Sequence, residues 1–72
     1  MPIDMEDLEN WFTYHAPQGS DLAKYEMIRN SAKEFAKTVI NNTPQSTDQA
    51  AAIRKIREAV MTANAAIACG GK

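Results

Sequence analysis

Two stretches of this chain carry the same apolar rhythm, and that repetition restricts the fold more than any other feature. Tyr25, Ile28, Ala32, Phe35 and Val39 follow one another at alternating spacings of three and four, and Ile53, Ile56, Val60, Ala63 and Ile67 do the same. Such spacing lays one narrow stripe along an α-helix. Leu22, Ala36 and Ile40 widen the first stripe. Between the two, Asn41-Asn42-Thr43-Pro44 stops a helix, because Asn leaves helices readily and proline cannot continue one. Ser46, with Gln49 three residues on, predicts a capping box in which each side chain satisfies the other's free backbone N–H. One helix is therefore expected from about Asp21 to Asn41 or Asn42, and a second from Ser46 to Cys69-Gly70-Gly71. Two long helices with matching stripes and a short connection read as an antiparallel helical hairpin.

Upstream, Asp4 to Phe12 predicts a short helix with its acids first, where they complement the positive end of the helix dipole. Met5, Leu8 and Phe12 give it a narrow apolar face, and Tyr14 to Pro17 ends it. Gln18-Gly19-Ser20 is turn chemistry, with Ser20 or Asp21 as N-cap. The fold class is all-α: a single domain over residues 1–72, a hairpin with a short N-terminal helix.

A chain of 72 residues buries only about 60% of the surface its unfolded form exposes, so it needs help. Cys69 has no partner for an internal disulfide and, beside Gly70-Gly71, is expected on a frayed tail. One Cys and one His make no tetrahedral zinc set, and no cofactor or metal is implied. Homo-oligomerisation remains. Met27, Met61, Ala50, Ala51, Ala52, Ala59, Ala65, Ala66 and Ala68 lie off the stripes and are assigned to outer faces. The small residues of the second long helix suit close packing against another copy, although alanine also serves helix propensity alone.

The net charge of -1 argues against a general basic surface for duplex DNA. No apolar run approaches the ~20 residues that span a bilayer. The acidic start, Met1 to Asp7, lacks the order of a signal peptide, so a soluble cytosolic protein is expected. Glycine-rich phosphate loops, metal motifs and nucleophile elbows are missing from the sequence, which favours binding over catalysis.

Four kinds of residue could carry binding. Trp11-Phe12-Thr13-Tyr14-His15-Ala16-Pro17 gathers the only Trp, the only His, and one each of two Phe and two Tyr. Proline biases Ala16 away from helix, so the segment should turn back over the helices that follow. It reads equally as a lid of stackable rings or as a plug on an undersized core. Arg29, Lys33 and Lys37, spaced by four, form a basic stripe with Lys24 before them. That stripe is a solvated face partnered by Glu26 and Glu34, or the phosphate half of a nucleotide site whose base stacks on the rings. His15 is a general base, a ligand contact or a turn residue. Asn64, one step from the stripe, either fixes helix register or meets a ligand or another subunit.

Phe12-Thr13-Tyr14-His15-Ala16-Pro17, Tyr25-Glu26-Met27-Ile28-Arg29, Ala32-Lys33-Glu34-Phe35-Ala36, Thr43-Pro44 and Glu58 to Ala68 together resemble the small phage anti-CBASS proteins of the second type. Their helical hairpin is shared with the first anti-Thoeris protein. The resemblance covers Phe12 to Ala68, and Tyr-His-x-Pro and Ala-Asn-Ala-x-Ile-Ala are its specific pieces. It implies a phage-encoded protein of the host cytoplasm that is not an enzyme. Such a protein binds and hides the cyclic dinucleotides, such as 3',3'-cGAMP, or cyclic trinucleotides that signal infection. Relatives of the anti-Thoeris type capture a cyclic ADP-ribose isomer. The resemblance also implies a homohexamer with pockets shared between protomers.

A cyclic dinucleotide with twofold symmetry suits a twofold interface to which each chain offers the same patch. Tyr14 is expected to stack on a base, with Phe12 or His15 assisting. Arg29 is expected on a phosphate, because its planar fork suits two oxygens, with Lys33 and Lys24 next. Asn64 would contact a base edge or hold the site's shape. Two other classes stand beside this reading: a hydrolase, for which metal and base are lacking, and a helical adaptor that needs no ligand.

Overall fold

The structure, a computed structural model, describes residues 2–71. It is built from three helices, α1 (Met5–Phe12), α2 (Asp21–Asn42) and α3 (Thr47–Ala68), and the described residues include no strand. No helix among them is long and apolar enough to cross a membrane. The two long helices have 22 residues each, about 33 Å at 1.5 Å per residue. They lie side by side and antiparallel, so that Leu22 and Tyr25 stand opposite Asn64 and Ala68, and Ala36 stands opposite Ile53.

The shared stripe holds on α3, where Ile53, Ile56, Val60, Ala63 and Ile67 are all half-buried. On α2 it needs one correction. Tyr25, Ile28, Ala32 and Val39 are half-buried, but Ala36 takes the inner place expected for Phe35, which is 59% exposed. Both choices keep the stripe's average period. The smaller side chain lets the helices close, and the ring is left on an outer face. Met27 and Met61 are also outside, as their positions predict.

The helix ends are secured mainly by side chains. Asp4 caps α1 rather than opening it: its carboxylate accepts from the Asp7 N–H at 2.8 Å, and the Asp7 carboxylate accepts from the Asp4 N–H at 3.4 Å. Ser20 is the N-cap of α2 but makes no capping bond with its side chain, and the Asp21 carboxylate instead accepts from the Gln18 N–H at 2.9 Å, holding the turn. At α3 the capping box is half made. Ser46 Oγ accepts from the Gln49 N–H at 3.1 Å, while the Gln49 amide reaches back to the end of α2. There it donates to the Thr43 carbonyl and hydroxyl, both at 3.2 Å, and to the Ile40 carbonyl at 3.4 Å. Carbonyls at a helix C-terminus lack intrahelical donors, so this use of the amide satisfies groups that need it more.

Where a frayed tail is expected, α3 ends in a hydrogen-bonded cap. The Gly71 N–H donates to the Ala66 carbonyl and the Gly70 N–H to the Ile67 carbonyl, with φ of +67° at Gly70 and +80° at Gly71. This is the Schellman arrangement, and its left-handed turn favours glycine. Cys69 is half-buried within it.

Helix α1 is fastened to that same end. Asn10 Nδ2 donates to the Cys69 carbonyl at 3.2 Å, and the Cys69 thiol lies 3.9 Å from the Asn10 carbonyl. Trp11 borders one pocket with Thr62, Ala65 and Ala66 of α3. The packed edge of α1 is therefore Leu8 and Trp11, 37% and 43% exposed, and the face expected from Met5, Leu8 and Phe12 is largely outside, with Met5 at 73% and Phe12 at 84%.

No described residue is fully buried. The molecule measures 44 × 30 × 16 Å, and its thinnest dimension is little more than the ~10–12 Å width of one helix. Its radius of gyration is 15.3 Å, against about 11 Å for a compact domain of this length. It exposes 5986 Å², about 1,600 Å² more than a folded monomer of its mass. The hairpin is a single layer with both faces open, whereas a stable domain is normally built from at least two.

Candidate functional site

The two faces of the layer differ in chemistry. One is an open apolar groove of about 680 Å³, lined chiefly by Ile28, Phe35, Val39, Ile56, Ala59 and Ala63. Apart from Ser31 and Lys55 nothing polar borders it. The other face carries two grooves that meet at Arg29.

The first of these, about 560 Å³, is bordered by Leu22, Tyr25, Glu26 and Arg29 of α2 and by Asn64, Ala65 and Ala68 of α3. It offers a ring, a carboxylate, a guanidinium and an amide in one concavity. Its position follows from the helix register. Tyr25 and Asn64 lie at the seam, and Glu26 and Arg29 stand on the flank that this face exposes. The Asn64 Oδ1 atom is enclosed and has no hydrogen-bond partner. An enclosed amide oxygen without a donor costs about 1–3 kcal/mol. The Asn64 oxygen makes no bond to the neighbouring helix.

The second groove, about 310 Å³, places Arg29, Lys33 and Arg57 around a floor of Ala32, Ile56 and Val60. No carboxylate borders it. Among the described residues the ion pair present is Lys37 with Glu34 at 3.3 Å, on side chains 56% and 72% exposed. At such exposure the pair contributes little. The basic stripe thus divides. Lys37 is a solvated, partnered residue, whereas Arg29 and Lys33 converge with Arg57 in a groove where only like charges meet.

The remaining predicted site residues lie outside these grooves in a single chain. Phe12 and Tyr14 are each 84% exposed, and Lys24 is exposed. Trp11 sits nearest, since Ala65 borders both its pocket and the polar groove. The aromatic segment is therefore at the correct end of the hairpin, but it does not cover the groove of its own chain. His15 is half-buried, with Nε2 2.7 Å from the Asn10 carbonyl. A carbonyl only accepts, so Nε2 carries a proton. With the Thr13 hydroxyl on the Glu9 carbonyl, His15 closes the C-terminal end of α1. Of its three possible roles, the turn residue is the one with a visible contact. Among the described residues no group of three or more His, Cys, Asp or Glu side chains could hold a metal ion.

Sequence reading missed Arg57, Glu26 and the part of Tyr25 in the groove wall. The signal was present. Arg29 follows the inner residue Ile28, and Arg57 follows the inner residue Ile56, so both occupy the same flank of matched stripes. Reading the basic residues of α2 alone left out their counterpart across the hairpin.

The family model described as the Acb2/Tad1 hairpin domain matches residues 5–68, from the first residue of α1 to the last of α3. No curated protein and no solved structure gives a match.

Proposed function

The chain belongs to the Acb2/Tad1 hairpin-domain family, and from that premise we propose that it is a phage sponge for cyclic oligonucleotide second messengers, acting in the host cytoplasm. It binds the signal of the bacterial CBASS defence and holds it unchanged, so that the host effector is not triggered. Members of the family act as sponges and not as enzymes, and this one works by stoichiometry.

The observation that carries the reading is the polar face, where Tyr25, Glu26, Arg29 and Asn64 border one groove and Lys33 and Arg57 extend it. A ring wall, base-edge acceptors and a forked cation are what a nucleotide requires. The thin layer supports the rest. One chain offers half of a site and half of a core, and an apolar face with Phe35 outside invites a second layer. In the assembly, a hexamer of hairpins, a neighbour's Tyr14 and Phe12 complete the groove, with His15 holding their segment in place. Arg29 takes a phosphate, with Lys33 and Lys24 contributing charge. Cyclic dinucleotides such as 3',3'-cGAMP are the primary ligands.

Thermal melting against a panel of cyclic dinucleotides, cyclic trinucleotides and cyclic ADP-ribose isomers tests the proposal. A ligand that binds the folded protein raises its melting temperature. Calorimetry on Tyr14→Ala and Arg29→Ala should show loss of tight binding with helix content retained. Bound nucleotide should be recovered intact after heat denaturation. An unresponsive melting curve across the panel would identify an adaptor, and recovery of linear nucleotide would identify a hydrolase.

A further inference from the structure

We infer that Asn10 is a positioning residue for ligand capture, because it clasps the segment that carries Tyr14 to the C-terminal cap of α3. The inference rests on the nucleotide-binding role just proposed, in which Tyr14 meets the ligand, and names the residue that sets that ring in place beforehand.

The Tyr14 side chain is 84% exposed, yet its backbone is held on both sides. On one side the Thr13 hydroxyl donates to the Glu9 carbonyl. On the other, His15 Nε2 donates to the Asn10 carbonyl at 2.7 Å. Both acceptors belong to the last turn of α1, where carbonyls lack intrahelical donors. Among the described residues no other hydrogen bond ties 14–17 to a helix. Helix α1 has 8 residues, and an isolated helix that short is marginal in water. The segment is therefore fixed only if α1 is itself fastened.

Asn10 fastens it. Its side-chain Nδ2 donates to the Cys69 carbonyl at 3.2 Å, and its own carbonyl lies 3.9 Å from the Cys69 thiol. One residue thus grips His15 with its backbone and α3 with its amide, and Asn10, His15 and Cys69 are all half-buried. Cys69 is set in turn by the cap. Its N–H donates to the Ala65 carbonyl at 2.9 Å, and the left-handed Gly70 and Gly71 follow. The contacts run without a gap from the end of α3, through Asn10 and His15, to the backbone of Tyr14.

An exposed ring on a loose segment has to be ordered at each encounter, and a ligand then binds only the fraction of molecules already in the right arrangement. The clasp raises that fraction before the ligand arrives. It therefore acts on association, whereas a residue that touches the ligand acts mainly on dissociation.

Surface plasmon resonance with 3',3'-cGAMP tests this on the full chain and on Asn10→Ala, His15→Ala, His15→Gln and Arg29→Ala. Asn10→Ala should slow association by roughly 3- to 10-fold, the worth of one hydrogen bond, and leave dissociation unchanged. His15→Ala should do the same. His15→Gln keeps an N–H at the reach of Nε2 and should restore the parent rate. Arg29→Ala should instead speed dissociation. Sedimentation should give Asn10→Ala the same assembly as the parent. Unchanged association in Asn10→Ala overturns the inference, as does an effect on dissociation alone. So does a His15→Gln variant no better than His15→Ala, or an Asn10→Ala variant that loses the ligand because it no longer assembles. Those results would leave the sponge reading in place. A parent chain that does not bind, or a Tyr14→Ala variant that binds like the parent, would end both.

Discussion

Replacing Phe35 by alanine tests the argument that the hairpin is half of a larger core. A phenylalanine side chain carries on the order of 200 Å² of surface, and Phe35 is 59% exposed, so about 120 Å² awaits cover. At about 25 cal/mol per Å², covering it contributes ~3 kcal/mol per copy. Losing the ring should weaken each contact that uses it by roughly 100-fold. Little of that cost should fall on the hairpin itself, because Ala36 and not Phe35 faces α3. Sedimentation over a dilution series, with circular dichroism on the same samples, separates the two effects. The expected result is an assembly above the dimer for the parent protein. The variant should assemble only at much higher concentration, with its helix signal retained. A parent protein that sediments as a folded monomer throughout would refute the reasoning, as would a variant that assembles like the parent.

Three further substitutions address other contacts. Arg57→Ala should weaken cyclic dinucleotide binding by about tenfold and reduce its salt dependence, and unchanged calorimetry would remove Arg57 from the site. Asn10→Ala should release α1 from the end of α3, so that limited proteolysis cuts within residues 13–18 while hairpin melting moves by no more than the ~1 kcal/mol of one hydrogen bond. Continued protection of that segment would show that Trp11 alone holds it. Gln49→Ala should lower the melting temperature by roughly 4–8 °C, the shift expected of about 1 kcal/mol in a domain this small. An unchanged curve would mean that water satisfies the Thr43 and Ile40 carbonyls equally well.

The hairpin was legible because its evidence is periodic and local. Ile53 to Ile67 shows the stripe, Thr43-Pro44 the break and Ser46 the cap. What was misread involved choices between neighbouring positions that the same periodicity allows. Phe35 and Ala36 both continue the α2 stripe, and only the distance of closest approach between two helices selects the smaller. Met5 and Phe12 form a correct helical face, yet Asn10 settles which edge is packed, through a partner 59 positions away. Cys69 looked like part of a loose tail because glycine pairs resemble tails in sequence, and the two positive φ values that make them a cap belong to three dimensions. The site followed the same rule. Arg29 and Asn64 could be nominated from side-chain type, but Arg57 joins them only once the register of the two helices is set.

The bond between Asn10 and Cys69 joins α1 to the C-terminal cap of α3. The two partners are 59 positions apart, so a ribosome makes the second some 3–12 s after the first at ~5–20 residues per second. During synthesis the α1 segment therefore lacks this anchor, and its rings are not held in place by it until the last turn of α3 has emerged.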